Sequence, residues 1–247
     1  MDSLSVAAAS GLQSRMDSLS LLANNLANAG TAGFKMDREF YGVYTSNNAD
    51  DPSGSNTVST VPVVDKQWTD FSQGNLQTTG SPLDIGLSGR GFLVANGPGG
   101  AVYTRNGALR VSPAGELITG EGYPLRSAGG GTIHVAAGKT IDIAKDGTVS
   151  QNGQPLGQLE IVDFKSTDSL KKMSGAIFQN TDPKNLPFPA TNVEVEQGKT
   201  EASNVGVPDS AMRMVGMMRQ FEMLQKAITL NSTMNQKALE EVARIPT

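Results

Sequence analysis

Both ends of this chain carry an apolar pattern that predicts a long amphipathic helix, and these patterns constrain the fold most strongly. The first lies within Leu4 to Lys35 and the second within Val205 to Ile245. In each, apolar residues recur at alternating steps of four and three, which places them on one helix face. A helix from Ser3 to Asn28 would be about 39 Å long, more than a compact core needs from one element. We therefore expect each helix to order only when it packs on a partner.

These steps define two heptad seams, which we predict to be the assembly interface. The N-terminal seam consists of Leu12, Met16, Leu19, Ala23 and Leu26. The C-terminal seam consists of Met217, Phe221, Leu224, Ile228, Asn231, Asn235, Ala238, Val242 and Ile245, and all of these except Ala238 and Ile245 are predicted interface residues. The two Asn residues inside an otherwise apolar seam favour one register. An ordinary pair of helices within one chain would give the same pattern, so the pattern alone leaves both interpretations open.

The middle of the chain has a different pattern, because 19 of the 28 glycines lie between Gly74 and Gly157. They separate short apolar runs such as Phe92 to Ala95, which is typical of an all-β fold with frequent turns. We predict a mainly β central domain with long N- and C-terminal α-helices that form a coiled-coil-like helical layer. The predicted segments are an N-terminal helical segment, a linker, a β-rich domain and a C-terminal helical segment, at residues 1–35, 36–72, 73–200 and 201–247.

Composition excludes several classes of protein. The net charge is −4 and the Lys and Arg residues are dispersed, which argues against nucleic-acid binding. The chain has no Cys, so disulfides and thiolate metal sites are excluded. The first residues do not have the pattern of a cleaved signal peptide, and no segment has the length and hydrophobicity of a transmembrane helix.

Motifs for catalysis are isolated or incomplete. His134 is the only His and lies in an alternating strand pattern, so we expect a strand residue rather than a metal ligand or catalytic base. Gly89-Arg-Gly91 precedes a strand instead of a helix, which indicates a turn rather than a dinucleotide site. Ser169-Leu-Lys-Lys172 lacks the companion motifs of a serine acyl-enzyme. We predict no catalytic, cofactor or metal site, no small-molecule substrate and no enzymatic activity.

Several segments together resemble the axial rod and hook proteins of the bacterial flagellum. Leu22-Ala-Asn-Asn-Leu-Ala-Asn-Ala-Gly-Thr-Ala-Gly-Phe-Lys35 is similar to the N-terminal signature of that family, and the run from Gly74 to Phe92 resembles the start of its β-domain. Tyr103-Thr-Arg-Asn-Gly107 and Asp146-Gly-Thr-Val-Ser150 are further matches, and Ser203-Asn-Val205 resembles the C-terminal signature. The order Arg219-Gln-Phe-Glu222 and the modest length are most similar to the proximal rod subunit.

The resemblance implies a structural subunit of the basal-body rod in the periplasm, which polymerises helically and transmits torque from motor to hook. It also implies export by the flagellar type III apparatus, and partners that are further copies of the chain and other rod and hook proteins. The distal rod subunit is an alternative within the family. A secreted β-rich binding or adhesin module is the alternative from another class, since a Gly-rich β pattern suits it too.

Overall fold

The computed structural model of the chain describes residues 3–46, 59–136 and 138–243. The chain divides into two compact units. Unit 1 is drawn from Met1–Leu26, Asp37–Trp68 and Gly206–Thr247, and unit 2 from Ala27–Met36 and Thr69–Val205. The units are therefore not continuous in sequence. Residues Ala27–Met36, which follow the N-terminal helix, belong to the β-rich unit and not to the unit that contains this helix.

Unit 1 contains both helices and one two-stranded sheet. Its elements are α1 (Ser3–Ala27), β1 (Asp37–Ser46), β2 (Ser59–Thr69) and α2 (Val207–Ala243). Pro208 occupies the first turn of α2, where its missing N–H costs no helical hydrogen bond. Asp209 follows in the same turn, which suits the helix dipole, and its carboxylate pairs with Arg213 at 3.0 Å. No described helix is long and apolar enough to cross a membrane.

The stretch predicted as a linker, residues 36–72, differs from expectation because it contains β1 and β2. Side chains support this pair, since the Phe40 and Trp68 rings stack with centroids 6.4 Å apart. The Arg38 guanidinium also lies over the Trp68 ring, 5.8 Å from its centroid. Within the predicted linker, residues 47–58 lie outside the described part of the chain.

The predicted fold class is wrong in one respect. The described chain is mainly β with one helix at each end, but these helices form no coiled-coil-like layer. The physical reason is that α1 buries polar side chains, Ser14, Ser18 and Asn25, instead of its apolar seam. Most described side chains of α2 are exposed to solvent. In α1 the heptad seam therefore did not identify the helix face that is buried within the chain.

Unit 2 contains the remaining strands, all short. They are β3 (Leu76–Thr78), β4 (Ile85–Gly89), β5 (Phe92–Gly97), β6 (Gly100–Thr104), β7 (Arg110–Val111), β8 (Leu117–Ile118), β9 (Ile141–Ile143), β10 (Thr148–Gln151), β11 (Gln154–Gln158), β12 (Ile161–Asp163), β13 (Leu170–Ser174), β14 (Ile177–Asn180), β15 (Phe188–Pro189), β16 (Val193–Gln197) and β17 (Lys199–Glu201). Six of them form a sheet in the order β13-β14-β6-β5-β12-β15, and three form another in the order β11-β10-β9. Smaller sheets pair β16 with β4, β17 with β3 and β7 with β8.

Strand β5 lies between two apolar cores. Leu93 and Ala95 belong to a large aliphatic cluster, whereas Phe92 and Val94 belong to an aromatic cluster on the opposite face. Alternate side chains of a strand point to opposite faces, so a strand buried on both sides has a continuous apolar run. In the aromatic cluster the Tyr103 and Phe164 rings meet edge to face, with centroids 4.8 Å apart.

The turns predicted from glycine positions are confirmed. Gly97 and Gly100 pair at the end of the antiparallel β5–β6 hairpin. Between β9 and β10, Gly147 has a φ of 83°, which favours glycine, and the Asp146 carboxylate accepts a hydrogen bond from the Thr148 N–H at 2.9 Å. The positions of these two turns are therefore set by glycine and aspartate residues that are visible in the sequence.

Candidate functional site: helix surfaces and a buried ion cluster

The buried face of α1 is polar and binds β1. Ser18 Oγ donates a hydrogen bond to Glu39 Oε2 at 2.8 Å. Two residues before the end of α1 at Ala27, the Asn25 amide bonds twice to the backbone of Asp37: Nδ2 donates to the carbonyl at 2.8 Å, and Oδ1 accepts from the N–H at 2.9 Å. The amide thus makes the two backbone hydrogen bonds that a neighbouring strand would make at the start of β1. These bonds attach the end of α1 to that strand.

Replacing Asn25 with Ala should weaken this attachment. Both bonds are lost and the Asp37 N–H loses its acceptor, which costs about 1–3 kcal/mol at a buried position. We expect the Asp37 amide to exchange with solvent about 5- to 100-fold faster in Asn25→Ala, as measured by NMR hydrogen exchange. Gln13→Ala is the control, since Gln13 bonds to Asp17 at the exposed surface. Equal exchange in the two variants would contradict this role for Asn25.

The predicted N-terminal seam lies on the other side of α1. At 100° per residue, its five residues point about 140° away from the Ser14, Ser18 and Asn25 face. Leu12, Leu19 and Leu26 are partly buried, whereas Met16, with 47% of its surface accessible, and Ala23 are exposed. The helix therefore brings the seam residues to one face, which is only partly buried within the described chain.

The predicted C-terminal seam is divided along α2. Met217, Phe221 and Leu224 are partly buried, while Ile228 is exposed. The side chains of Asn231, Asn235, Ala238 and Val242 lie outside the described part of the structure, as does Ile245. Partial burial continues toward the helix start at Ala211 and Met214, in steps of three and four. The first half of α2 therefore has an inward face that includes the predicted seam.

A second apolar face of α2 was missed in the sequence. All of its members are exposed, and they are Met212, Gly216, Met223, Ala227, Leu230 and Met234. At 100° per residue they fall within about 60° of one another and point about 150° away from the partly buried face. We call this set the exposed α2 stripe. Its spacing is visible in the sequence, but a heptad count that begins at Met217 passes over it.

A buried ion cluster lies in unit 2, and its three members come from distant parts of the chain. Glu201 is completely buried and accepts hydrogen bonds from Lys35 Nζ at 2.5 Å and from Arg105 Nη1 at 3.2 Å. Burial lowers the pKa of the Lys35 ammonium and of the Arg105 guanidinium, and in both cases the Glu201 carboxylate offsets part of this effect. The carboxylate is thus the shared counter-ion of two buried cations.

Backbone groups complete the cluster. Lys35 Nζ also donates to the Ser72 carbonyl at 2.7 Å, and Arg105 Nη2 donates to the Gly89 carbonyl at 2.6 Å. Glu201 Oε1, the oxygen that accepts from Lys35, also accepts from the Gly74 N–H at 2.8 Å, whereas Oε2 accepts from Arg105. No described buried side-chain nitrogen or oxygen lacks a hydrogen-bond partner. Sequence reasoning missed this cluster, since nothing local marks the three residues as neighbours.

The described side chains that could support catalysis or bind a metal either bond to other parts of the chain or lie far from one another. The described residues contain no group of three or more His, Asp or Glu side chains with metal-binding geometry. Lys172 of the Ser-x-x-Lys match donates to the Lys35 carbonyl at 2.7 Å, which is a structural contact. His134 is largely exposed and lies beside Glu116. A groove of about 550 Å³ beside Leu83 and Ile141 has a mainly apolar lining.

A second groove of unit 2, of about 470 Å³, does contain two carboxylates, from Asp146 and Glu160. Both are already bound within the chain. Asp146 accepts from the Thr148 N–H and hydroxyl, and Glu160 pairs with Arg126 at 3.1 Å. The groove therefore offers no free pair of carboxylates for acid and base catalysis.

Comparison with known proteins agrees with a role in assembly. Residues 86–151 match the profile of the flagellar hook protein FlgE/F/G D1 domain, and residues 196–241 match that of the flagellar basal body rod FlgEFG protein C-terminal region. Flagellar basal-body rod protein FlgF of Caulobacter vibrioides is 31% identical over 229 residues, which cover 92% of this chain and 92% of the relative. The chain belongs to the flagellar rod and hook protein family.

Other relatives of this rod and hook family member carry two names. Flagellar basal-body rod protein FlgG of Buchnera aphidicola subsp. Acyrthosiphon pisum is 30% identical over 251 residues, covering 92% of this chain and 95% of the relative. FlgF of Salmonella typhimurium is 31% identical over 221 residues, covering 84% and 85%. The family resemblance predicted from the sequence is confirmed, and with it the basal-body location. The rod and hook family consists of structural proteins, so this chain is a structural protein and not an enzyme.

Proposed function

We propose that this chain is a structural subunit of the basal-body rod that polymerises helically through its terminal helices and transmits torque from motor to hook. The observation that supports this most is the orientation of α1. Its polar face binds β1 through Asn25 and Ser18, so that Met16 and Ala23 of the opposite face remain exposed. Exposed apolar surface on both terminal helices is typical of a protein that binds other subunits.

The proposed interface consists of the two predicted seams together with the exposed α2 stripe. Its faces on α1 and α2 differ in sequence and length, so contact between subunits joins unlike surfaces. Heterologous contacts form a closed ring only if the rotation between successive subunits completes a full turn. Otherwise they generate a helical filament. The exposed methionines of the α2 stripe suit this role, because flexible thioethers adapt to neighbouring surfaces of different shape.

We propose the proximal part of the rod as the position of the subunit. Relatives named FlgF and FlgG are almost equally similar to the chain, so this choice rests on the Arg219 to Glu222 order and on chain length. Its partners are further copies of the chain and other rod and hook proteins. Export through the flagellar type III apparatus is part of the same proposal.

Deletion of the gene in the source bacterium tests this function. We expect basal bodies that lack a complete rod, seen by electron cryo-microscopy after isolation, and cells that do not swim. The full-length chain supplied from a plasmid should restore both. A gold-labelled antibody against the chain should bind near the motor end of the rod. Complete rods and normal swimming in the deletion strain would contradict the proposal.

A further inference from the structure

Two chain segments that are far apart in sequence lie side by side in unit 2. The first is the N-terminal loop, residues 28–36, which follows the end of α1. The second is the C-terminal segment, residues 199–205, which contains β17 and precedes α2. Lys35 and Glu201, which meet between them, are 166 positions apart. The position of each segment thus depends on contacts with residues that are distant in the sequence.

We propose that these two segments form a latch, in which the N-terminal loop and the C-terminal segment dock on unit 2 together in one cooperative step closed by Glu201. In the closed state both segments are ordered against the β-strands. In the open state both are released, while the cores of unit 2 stay folded. The latch is a conformational device within the subunit and does not depend on the proposed place of the protein in the rod.

Cross-contacts tie the two segments at three levels. The Gly33 N–H donates to the Glu201 carbonyl at 2.7 Å, beside the Lys35 to Glu201 pair. Further along, the Met36 N–H donates to Asn204 Oδ1 at 2.7 Å. Between these two levels the Asn204 N–H donates to the Phe34 carbonyl at 3.4 Å. Loss of either segment would therefore remove backbone partners from the other.

Partial docking is disfavoured by charge. With the C-terminal segment released, Lys35 and Arg105 would lose the carboxylate that they share. An ion pair broken on one side leaves an uncompensated buried charge, which is strongly destabilising. The favourable alternative is release of Lys35 to solvent, which removes the N-terminal loop as well. The two segments should therefore open together.

Partial docking is also disfavoured by shape. Gly33 has a φ of 67°, and a Cβ at this position would lie 2.3 Å from the backbone of Arg105 and of Asn106. The loop thus packs directly on backbone, and a loop displaced from this position loses that close packing. The Phe34 ring beside it is covered by the Lys172 ammonium, 4.1 Å from the ring centroid.

Amide hydrogen exchange of the full-length chain tests the latch in the variant Glu201→Gln. Two reporters do not bond to the Glu201 side chain: the Met36 amide, bonded to Asn204, and the Ala202 amide, bonded to the Asn75 carbonyl at 2.8 Å. We expect both to exchange about 100-fold faster or more. The Val94 amide in the core should change less than about 3-fold. Faster exchange confined to Gly74, which bonds to the Glu201 carboxylate, and to Gly33, which bonds to the backbone carbonyl of Glu201, would overturn the proposal.

Two further variants make the test reciprocal and provide a control. Lys35→Gln, in the N-terminal loop, should accelerate exchange of Ala202 in the C-terminal segment to a similar degree. Glu194→Gln removes a carboxylate from an exposed pair with Lys145, and it should leave all reporters unchanged. Acceleration of Met36 without Ala202 in Lys35→Gln would show independent segments and overturn the latch.

Asn204→Ala keeps the proposal testable if Glu201→Gln fails to fold. It leaves no unpaired buried charge, and it removes only the amide that holds Met36, Asp70 and Ser72. We expect the Gly33 amide, which bonds to Glu201 and not to Asn204, to exchange about 10-fold faster or more. Unchanged exchange at Gly33 would contradict cooperative docking.

Discussion

Replacing Met223 with Asp should abolish rod assembly without unfolding the subunit. Met223 lies in the exposed α2 stripe with 62% of its surface accessible, so Asp is solvated in the single chain. In an assembled rod the same carboxylate would be buried without a partner, at a cost of several kcal/mol. This cost recurs at every subunit, so we expect cells that build no complete rod and do not swim. Swimming in soft agar and electron cryo-microscopy of isolated basal bodies measure the two outcomes.

Thr229→Asp is the matched control for Met223→Asp. Thr229 is exposed, six residues further along α2, and points about 120° away from Met223 and about 120° away from the centre of the predicted seam. Rods and swimming should be normal in this variant, and the thermal transition of each purified chain should stay within about 2 °C of the parent, as for surface substitutions. Normal rods with Met223→Asp would remove the exposed α2 stripe from the proposed interface.

Gly107→Ala should have the largest effect on stability among glycine substitutions. A Cβ at Gly107 would lie 1.7 Å from the carbonyl oxygen of Ile85, a residue at the centre of the aliphatic core. The backbones also bond here, since the Ile85 N–H donates to the Gly107 carbonyl at 2.9 Å. Relief of the clash must displace β4 and weaken this bond, so we expect a loss of about 3 kcal/mol or more.

Urea unfolding of the purified chain measures the Gly107→Ala effect. Gly120→Ala is the control, because a Cβ there has its nearest neighbour, Asn106 Nδ2, at 3.5 Å, an ordinary contact. We expect the free energy of unfolding of this control to change by less than about 1 kcal/mol. Similar losses in both variants would show that the approach of Gly107 to Ile85 does not constrain the fold.

Local patterns predicted local structure well. The apolar run from Phe92 to Ala95 became strand β5, which pairs with β6 across one of the glycine-rich turns that the spacing of the glycines predicted. Both terminal patterns became helices. In these places the information is contained in neighbouring residues, through side-chain periodicity and the backbone freedom of glycine.

Contacts between distant segments could not be predicted in the same way. The buried face of α1 is recognisable only once β1 is known to offer Glu39 and the backbone of Asp37, and that stretch was interpreted as a linker. Ser and Asn are usually exposed, so their burial had no signal in the helix itself. The same holds for Lys35, Arg105 and Glu201, which become neighbours only through the fold. The coiled-coil-like layer was wrong because a seam pattern does not reveal its partner.

Site-specific cross-linking in isolated basal bodies tests assembly through the helix faces most directly. The chain has no Cys, so cysteines placed by Met16→Cys and Met223→Cys are the only thiols of this subunit. Leu186→Cys, at an exposed position of unit 2, is the comparison. With a bifunctional maleimide, we predict a ladder of cross-linked multimers from rods that carry the helix cysteines, and no ladder from the same chain in dilute solution. A ladder from Leu186→Cys rods with none from the helix pair would contradict assembly through these faces.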